Sequence, residues 1–241
     1  MSKKQSGFSL VELLVAVTIG LFIVGGLGAV YVHLKQAFNS QGQLAQLQDS
    51  ERLALTMLTT TIEESGYFPD PLNYTAATEP SFVAASIGAG GVYGSVSAGQ
   101  GLVGTSGSSG ASDTLTTRFV TAPASGLLNC LGKTNTGTAN ALFTNTFTVD
   151  ANGLSCSTDG GLTSTPLAGQ VVSLSASYLV DTTGLGTALG YRSAAAVTAA
   201  GLWSNVRSVQ LTVVFTNPLA AQAGQPATTT WVQNVSVLNH L

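Results

Sequence analysis

A chain of 241 residues, 44% apolar and only 8% charged with a formal net charge of −3, has room for one membrane-crossing segment and a single domain of ordinary size. It contains no basic tract or run of like charge, which sets aside nucleic acid as a main partner. Its two histidines, His33 and His240, lie far apart at the margins and do not suit a histidine-centred active site.

Residues 8–32 are almost wholly apolar. That is about 25 residues, or ~37 Å as a helix, enough to cross a hydrocarbon core of ~30 Å. Lys3 and Lys4 precede the run and favour a cytoplasmic position for the extreme N-terminus. Glu12 interrupts it, and a carboxylate inside a membrane helix costs roughly 2.5–3.5 kcal/mol unless something satisfies it. Three arrangements compete. A secretory signal would be cut before Ala29, after the small residues Gly26 and Gly28, and gives no reason for the acid. A plain anchor would tether a domain. Cleavage between Gly7 and Phe8 would leave the apolar helix on the mature chain and create an amine at Phe8. That amine stands one helical turn from Glu12, so the two charges can meet within one chain or between neighbours.

Lys3-Lys4 followed by GFSLVELLVAVTIG (residues 7–20) resembles the class III signal of type IV prepilins and pseudopilins. The resemblance implies that a prepilin peptidase cuts after Gly7 and N-methylates Phe8. It also implies that Glu12 pairs with the terminal amine of an adjacent subunit. Loss of the two lysines on maturation would move the formal balance from −3 to about −5. Cys130 and Cys156 both follow the apolar segment, where an oxidising compartment favours a disulfide between them.

The reading divides the chain into a leader (1–7), the transmembrane half of a helix (8–34), its amphipathic half (35–65), a connecting loop (66–112) and a β-sheet domain (113–241). Residues 35–64 contain no proline, and Leu44, Leu47, Ala54, Leu55, Leu58 and Ile62 recur at steps that make an apolar stripe. Gly66 is the expected stop, with Pro69 and Pro71 preventing resumption. Gly25, Gly26 and Gly28 leave two readings open, a helix-packing surface or a place where the helix extends locally.

Residues 67–112 are rich in Gly and Ser and read as loop, with a short strand expected over 82–84. Gly99, Gly101 and Gly104 spell GxGxxG, but no strand is predicted before them and no helix after, so nucleotide binding is rejected. Residues 113–120 alternate as a half-buried strand through Leu115, Thr117 and Phe119. Residues 141–150 and 154–157 flank Asn152-Gly153, a hairpin signal. Three further strands are expected over 171–181, 206–216 and 230–238. Their inward sets are Val172, Leu174, Ala176, Tyr178; Val209, Leu211, Val213, Phe215; and Trp231, Gln233, Val235, Val237. The expected fold is α+β: a long N-terminal helix packed on an antiparallel sheet, as in type IV pilins. Asp181 with its Thr and Gly neighbours, and Asp150, Asn152 and Asp159, lack the acidic register of a calcium loop. No metal, cofactor or enzymatic site is expected.

QLQDSERLALTMLTTTIEESGYF, SDTLTTRFV, the two spaced cysteines, YLVDTTG and WSNVRSVQLTVVF together resemble the minor pilins of the PilW family. The C-terminal WVQNVSVLNHL follows the pattern only in shape. The resemblance implies a subunit held in the inner membrane with its C-terminal domain periplasmic, then carried into an extracellular pilus. There it would help prime assembly and sit at or near the tip. Its implied partners are the prepilin peptidase and other minor and major pilins, reached through the N-terminal helix. The competing readings are a minor pseudopilin of type II secretion, and a membrane-anchored adhesive module that binds through the loop of residues 82–112.

Overall fold

The computed structural model describes residues 9–108, 110–183, 186 and 189–239. Contacts divide the chain between Gln46 and Leu47 into two compact units.

The first unit is helical from Leu10 onward, the start of helix α1 (Leu10–Glu64), and Gly25, Gly26 and Gly28 continue the helix without a break. Leu13 N donates to Ser9 O (3.1 Å) and Thr18 Oγ1 to Val15 O (2.9 Å), so the hydroxyl is satisfied within its own turn. Apart from half-exposed Ser40, every described residue up to Gln46 is exposed, including Leu21, Phe22 and Val24. A helix apolar on all sides belongs in lipid or among other helices.

In the second unit α1 is amphipathic. Leu47, Ala54, Leu58 and Ile62 are buried in one core that also holds Leu174, Leu211, Val213 and Phe215. Each of the leucine, isoleucine, valine and phenylalanine side chains among them contributes roughly 1.5–3 kcal/mol on burial. The helix ends at Glu64, and Gly66 takes φ +81°, a left-handed conformation at the expected stop. A Cβ there would also collide with the Asn239 carbonyl. The last turn is held by Asn239 Nδ2 donating to Glu63 O (3.1 Å) and Gly66 N donating to Arg118 O (2.9 Å).

After the helix come β1 (Ala85–Ser86), β2 (Ser95–Val96), β3 (Leu102–Thr105), β4 (Thr114–Thr121), β5 (Ala141–Asp150), β6 (Gly153–Ser157) and β7 (Thr165–Ala168). β8 (Val171–Asp181), β9 (Leu189–Ser193), α2 (Ala194–Ala200), β10 (Val206–Thr216) and β11 (Thr228–Ser236) complete the order. All pairings are antiparallel. Two main sheets form rather than one, with strand orders β3-β4-β5-β6-β7 and β11-β10-β8-β9, beside the small β1-β2 ribbon. The two are stitched where the chain enters β4: Asp113 N donates to Leu174 O (2.8 Å), and Asp113 Oδ2 accepts from Ala176 N (2.8 Å).

Several expectations shift by a residue or a face. The loop of residues 66–112 contains three strands, while 82–84 is not one of them; Phe82 is buried against Arg118 instead, ring centroid to guanidinium 5.3 Å. β4 is buried on both faces, because Ala76 and Phe82 of the preceding segment pack on its second side at Val120. In β8 the register breaks opposite Val214/Phe215, so Val171 points in and Val172 is 50% exposed. The β5–β6 turn is Ala151-Asn152, with Gly153 at φ +92° already paired to Asp150, so the glycine supplies the left-handed step at the strand's start. Trp231 is 47% exposed rather than core, whereas Val209, Leu211, Val213 and Phe215 are fully buried.

Candidate functional site

The acid singled out in the sequence, Glu12, lies in the first turn of α1 and is exposed among apolar neighbours. A carboxylate in a first turn is favoured by the unsatisfied N–H groups and the positive end of the helix dipole, by about 0.3–1 kcal/mol at an exposed position. Gly7 and Phe8, the two sides of the expected cut, lie outside the described residues, as does Gly184 of the Asp181 turn.

Cys130 and Cys156 form a disulfide across 26 positions. Cys156 is in β6, and the preceding loop is held to β5 by Cys130 N donating to Asn145 Oδ1 (2.9 Å). On the buried polar face of this sheet Thr116 Oγ1 donates to Thr146 Oγ1 (3.1 Å).

The carboxylates weighed as oxygen ligands are engaged in their own turns. Asp150 accepts from Asn152 N (2.7 Å). Asp159 accepts from Leu162 N and Thr163 N (both 2.9 Å), and hydroxyl bonds from Ser157 and Thr163 hold its carboxyl well below the usual range. Asp181 accepts from Thr183 N (3.1 Å) and Gly186 N (2.7 Å) and pairs with Arg207 at 3.3 Å.

Three titratable groups are instead set by burial: Arg118 and Glu64, which the sequence did not single out, and Tyr178, which it placed inward. Arg118 is fully buried with no carboxylate within ion-pair distance among the described residues. It donates to Val83 O (2.5 Å) and Gln100 O (3.3 Å), and burial pulls its pKa down to about 10. Glu64, at the end of α1, is pushed up to about 7 by burial and then by the neighbouring Glu63. Tyr178 is fully buried, its hydroxyl raised by burial and then by the charge of Asp113; its ring packs edge-on against Trp203 at 4.8 Å. The alternation of TLTTRFV assigned Arg118 to a solvated face, and only the covering segment reverses that.

Residues 2–28 match the family described as "Prokaryotic N-terminal methylation motif", and residues 132–239 match "Type IV Pilus-assembly protein W". No curated protein matches the chain. Among solved structures, a type IV-like pilin from Thermus thermophilus is similar, at 13% identity and a TM-score of 0.42, covering 80% of this chain and 97% of its own. An apolar helix bearing a methylation motif, followed by antiparallel sheets, defines a type IV pilin-like protein. The match over residues 132–239 together with the methylation motif over residues 2–28 supports a PilW-family type IV pilin. The motif implies processing by a prepilin peptidase, association with other pilins and anchoring in a membrane, and the family's role is structural.

Proposed function

We propose that the chain is a minor pilin that helps prime assembly of a type IV pilus and is built into it at or near the tip. The mature N-terminus would be Phe8, and Glu12 would pair there with a terminal amine, its own or a neighbour's. Before assembly the helix would sit in the inner membrane with the remainder in the periplasm; afterwards other pilin helices would replace lipid. The observation that supports this best lies in the first unit, where the apolar stretch from residue 10 to 34, carrying one acid, is exposed at every residue. Both surroundings would suit it, but only a terminal amine, its own or a neighbour's, suits the acid.

The test is Glu12→Ala. The variant is expected to insert and to be cleaved normally, yet to fall at least tenfold in sheared fibres. Wild-type amounts in the sheared fraction would overturn the pairing. Deleting the gene in a cell that keeps its major pilin should reduce fibre number if the subunit primes assembly. Unchanged fibre numbers with a failed secretion system would assign the chain to a pseudopilus instead.

A further inference from the structure

β11 is the outermost strand of its sheet, with β10 on one side only. Its register with β10 runs unbroken from the Ser208/Ser236 pair to the Thr216/Thr228 pair. The same register continues past both ends, where Val237 N donates to Arg207 O (2.9 Å) and Asn217 N to Ala227 O (3.0 Å). Bonded and non-bonded pairs alternate in an antiparallel ladder, so Thr229, Trp231, Gln233 and Val235 direct their peptide groups to β10. Those of Thr228, Thr230, Val232, Asn234 and Ser236 point away from it. All five of these residues are exposed, and among the described residues no hydrogen bond reaches their outward N–H or C=O groups.

Proteins ordinarily guard such an edge with a charge, a proline, a bulge, a short strand or a cover. The other outer strands of the two main sheets show those guards. Leu102, Val103 and Gly104 of β3 are buried, and β7 contains Pro166 and a register shift against β6. β9 is five residues long, carries Arg192 and runs directly into α2. β11 has nine residues with no proline, glycine or charge, and Val232 is 58% exposed. No Asp, Glu, Lys or Arg follows Arg207 in the chain, so the edge fits an uncharged strand.

Thr229 Oγ1 donates to Glu51 Oε1 (3.5 Å) and Gln233 Nε2 to Thr59 Oγ1 (3.1 Å). These bonds tie β11 to α1, so the edge is held extended before any partner arrives. They also show that β11 and this part of α1 run in the same direction. Two copies paired antiparallel through β11 would therefore turn their α1 stretches head to tail, which does not suit helices anchored alike in one membrane. We propose that the β11 edge takes, in antiparallel pairing, an uncharged edge strand of a different, neighbouring pilin subunit, one that runs against that subunit's own N-terminal helix. The proposal rests on the assembly reading only in that other subunits stand alongside in the same orientation.

The first test uses the full chain in detergent micelles and a capped nine-residue peptide alternating valine with threonine. The peptide is expected to bind saturably and to slow exchange of the Val232 amide at least tenfold. Val232→Pro removes one outward N–H and no bond to β10, and should weaken binding at least tenfold without moving the denaturation midpoint. Val232→Lys, which charges the edge without constraining the backbone, should weaken it as much. Leu162→Lys, exposed between β6 and β7, should leave it unchanged. Parent-like binding by either Val232 variant would overturn the proposal, as would unchanged Val232 exchange or an equal effect of Leu162→Lys. In the native cells, a photoreactive diazirine side chain in place of Val232 should crosslink to an edge strand of another pilin, located by mass spectrometry. A crosslink to β11 of a second copy, or to no pilin strand, would overturn it too. Because the micelle measurements need no fibre, their failure leaves the assembly reading standing, and failure of the Glu12 test leaves the open edge standing.

Discussion

The two stretches of α1 on either side of Gln46 have the same backbone geometry and opposite relations to their surroundings. From residue 10 to 34, leucine, valine and isoleucine lie on every side and none is buried. After Gln46, burial is confined to one stripe, Leu47, Glu51, Ala54, Leu58, Thr61 and Ile62, which faces sheet residues of the same chain. A helix does not reveal its solvent by being helical. It does so by how its apolar side chains are distributed around the axis. The first stretch requires something from outside the chain, and the second has found its partner within it.

That contrast can be broken most severely at the leader. Gly7→Leu should leave essentially all of the chain as uncleaved precursor; mass analysis finding Phe8 as the N-terminus in this variant would sink the cut site. Next comes a matched pair of truncations. Leu58→Ala, at a fully buried site, should lower unfolding stability of the second unit by about 2–5 kcal/mol. Leu21→Ala, 67% exposed on the first stretch, should change it by less than about 0.5 kcal/mol. Equal effects in chemical denaturation would erase the distinction between the two stretches.

A comparable loss is expected when the Cys130–Cys156 disulfide is removed by a double alanine substitution. A loop closed over 26 positions corresponds to about 3–4 kcal/mol in the chain-entropy account. A variant as stable as the oxidised parent would show that the surrounding sheet already restrains the loop.

The smallest effect concerns Glu64. Its folded pKa, about 7, lies above the ordinary value of 4.5. Between those values the unfolded chain ionises while the folded chain holds its proton. This contribution to stability is therefore complete below about pH 4.5 and is lost as pH rises through 7. Discounted for its partial exposure, the loss is on the order of 1–2 kcal/mol. Glu64→Gln should flatten stability across this window, and an unchanged slope would assign the pH dependence elsewhere.

Much of the fold was legible before any coordinate. The end of α1 before Gly66 followed from a glycine placed to take a left-handed turn, with Pro69 and Pro71 just beyond it. β10 was readable because its four alternate apolar residues face a single core. The reversal at Val172 was not, because a bulge depends on the partner strand and leaves no mark in the local pattern. Nor was the burial of Arg118, whose neighbours in sequence are those of a half-exposed strand. The strands inside residues 66–112 were hidden for a related reason. Ile87, Val96 and Val103 form a small core only with one another and partly buried neighbours such as Trp203, about a hundred positions away.

By itself, the order of residues determined that this chain carries a membrane-length helix with an acid and a processing motif at its start, because hydropathy and a short motif are local properties. It determined the candidate pair Glu12 and Phe8 for the same reason. Only the tertiary structure decided that two sheets form, that Arg118 is enclosed, and that Ile87, Val96 and Val103 make a small core beside Trp203. Those outcomes depend on which strands find each other across long separations, and no window of sequence contains both partners.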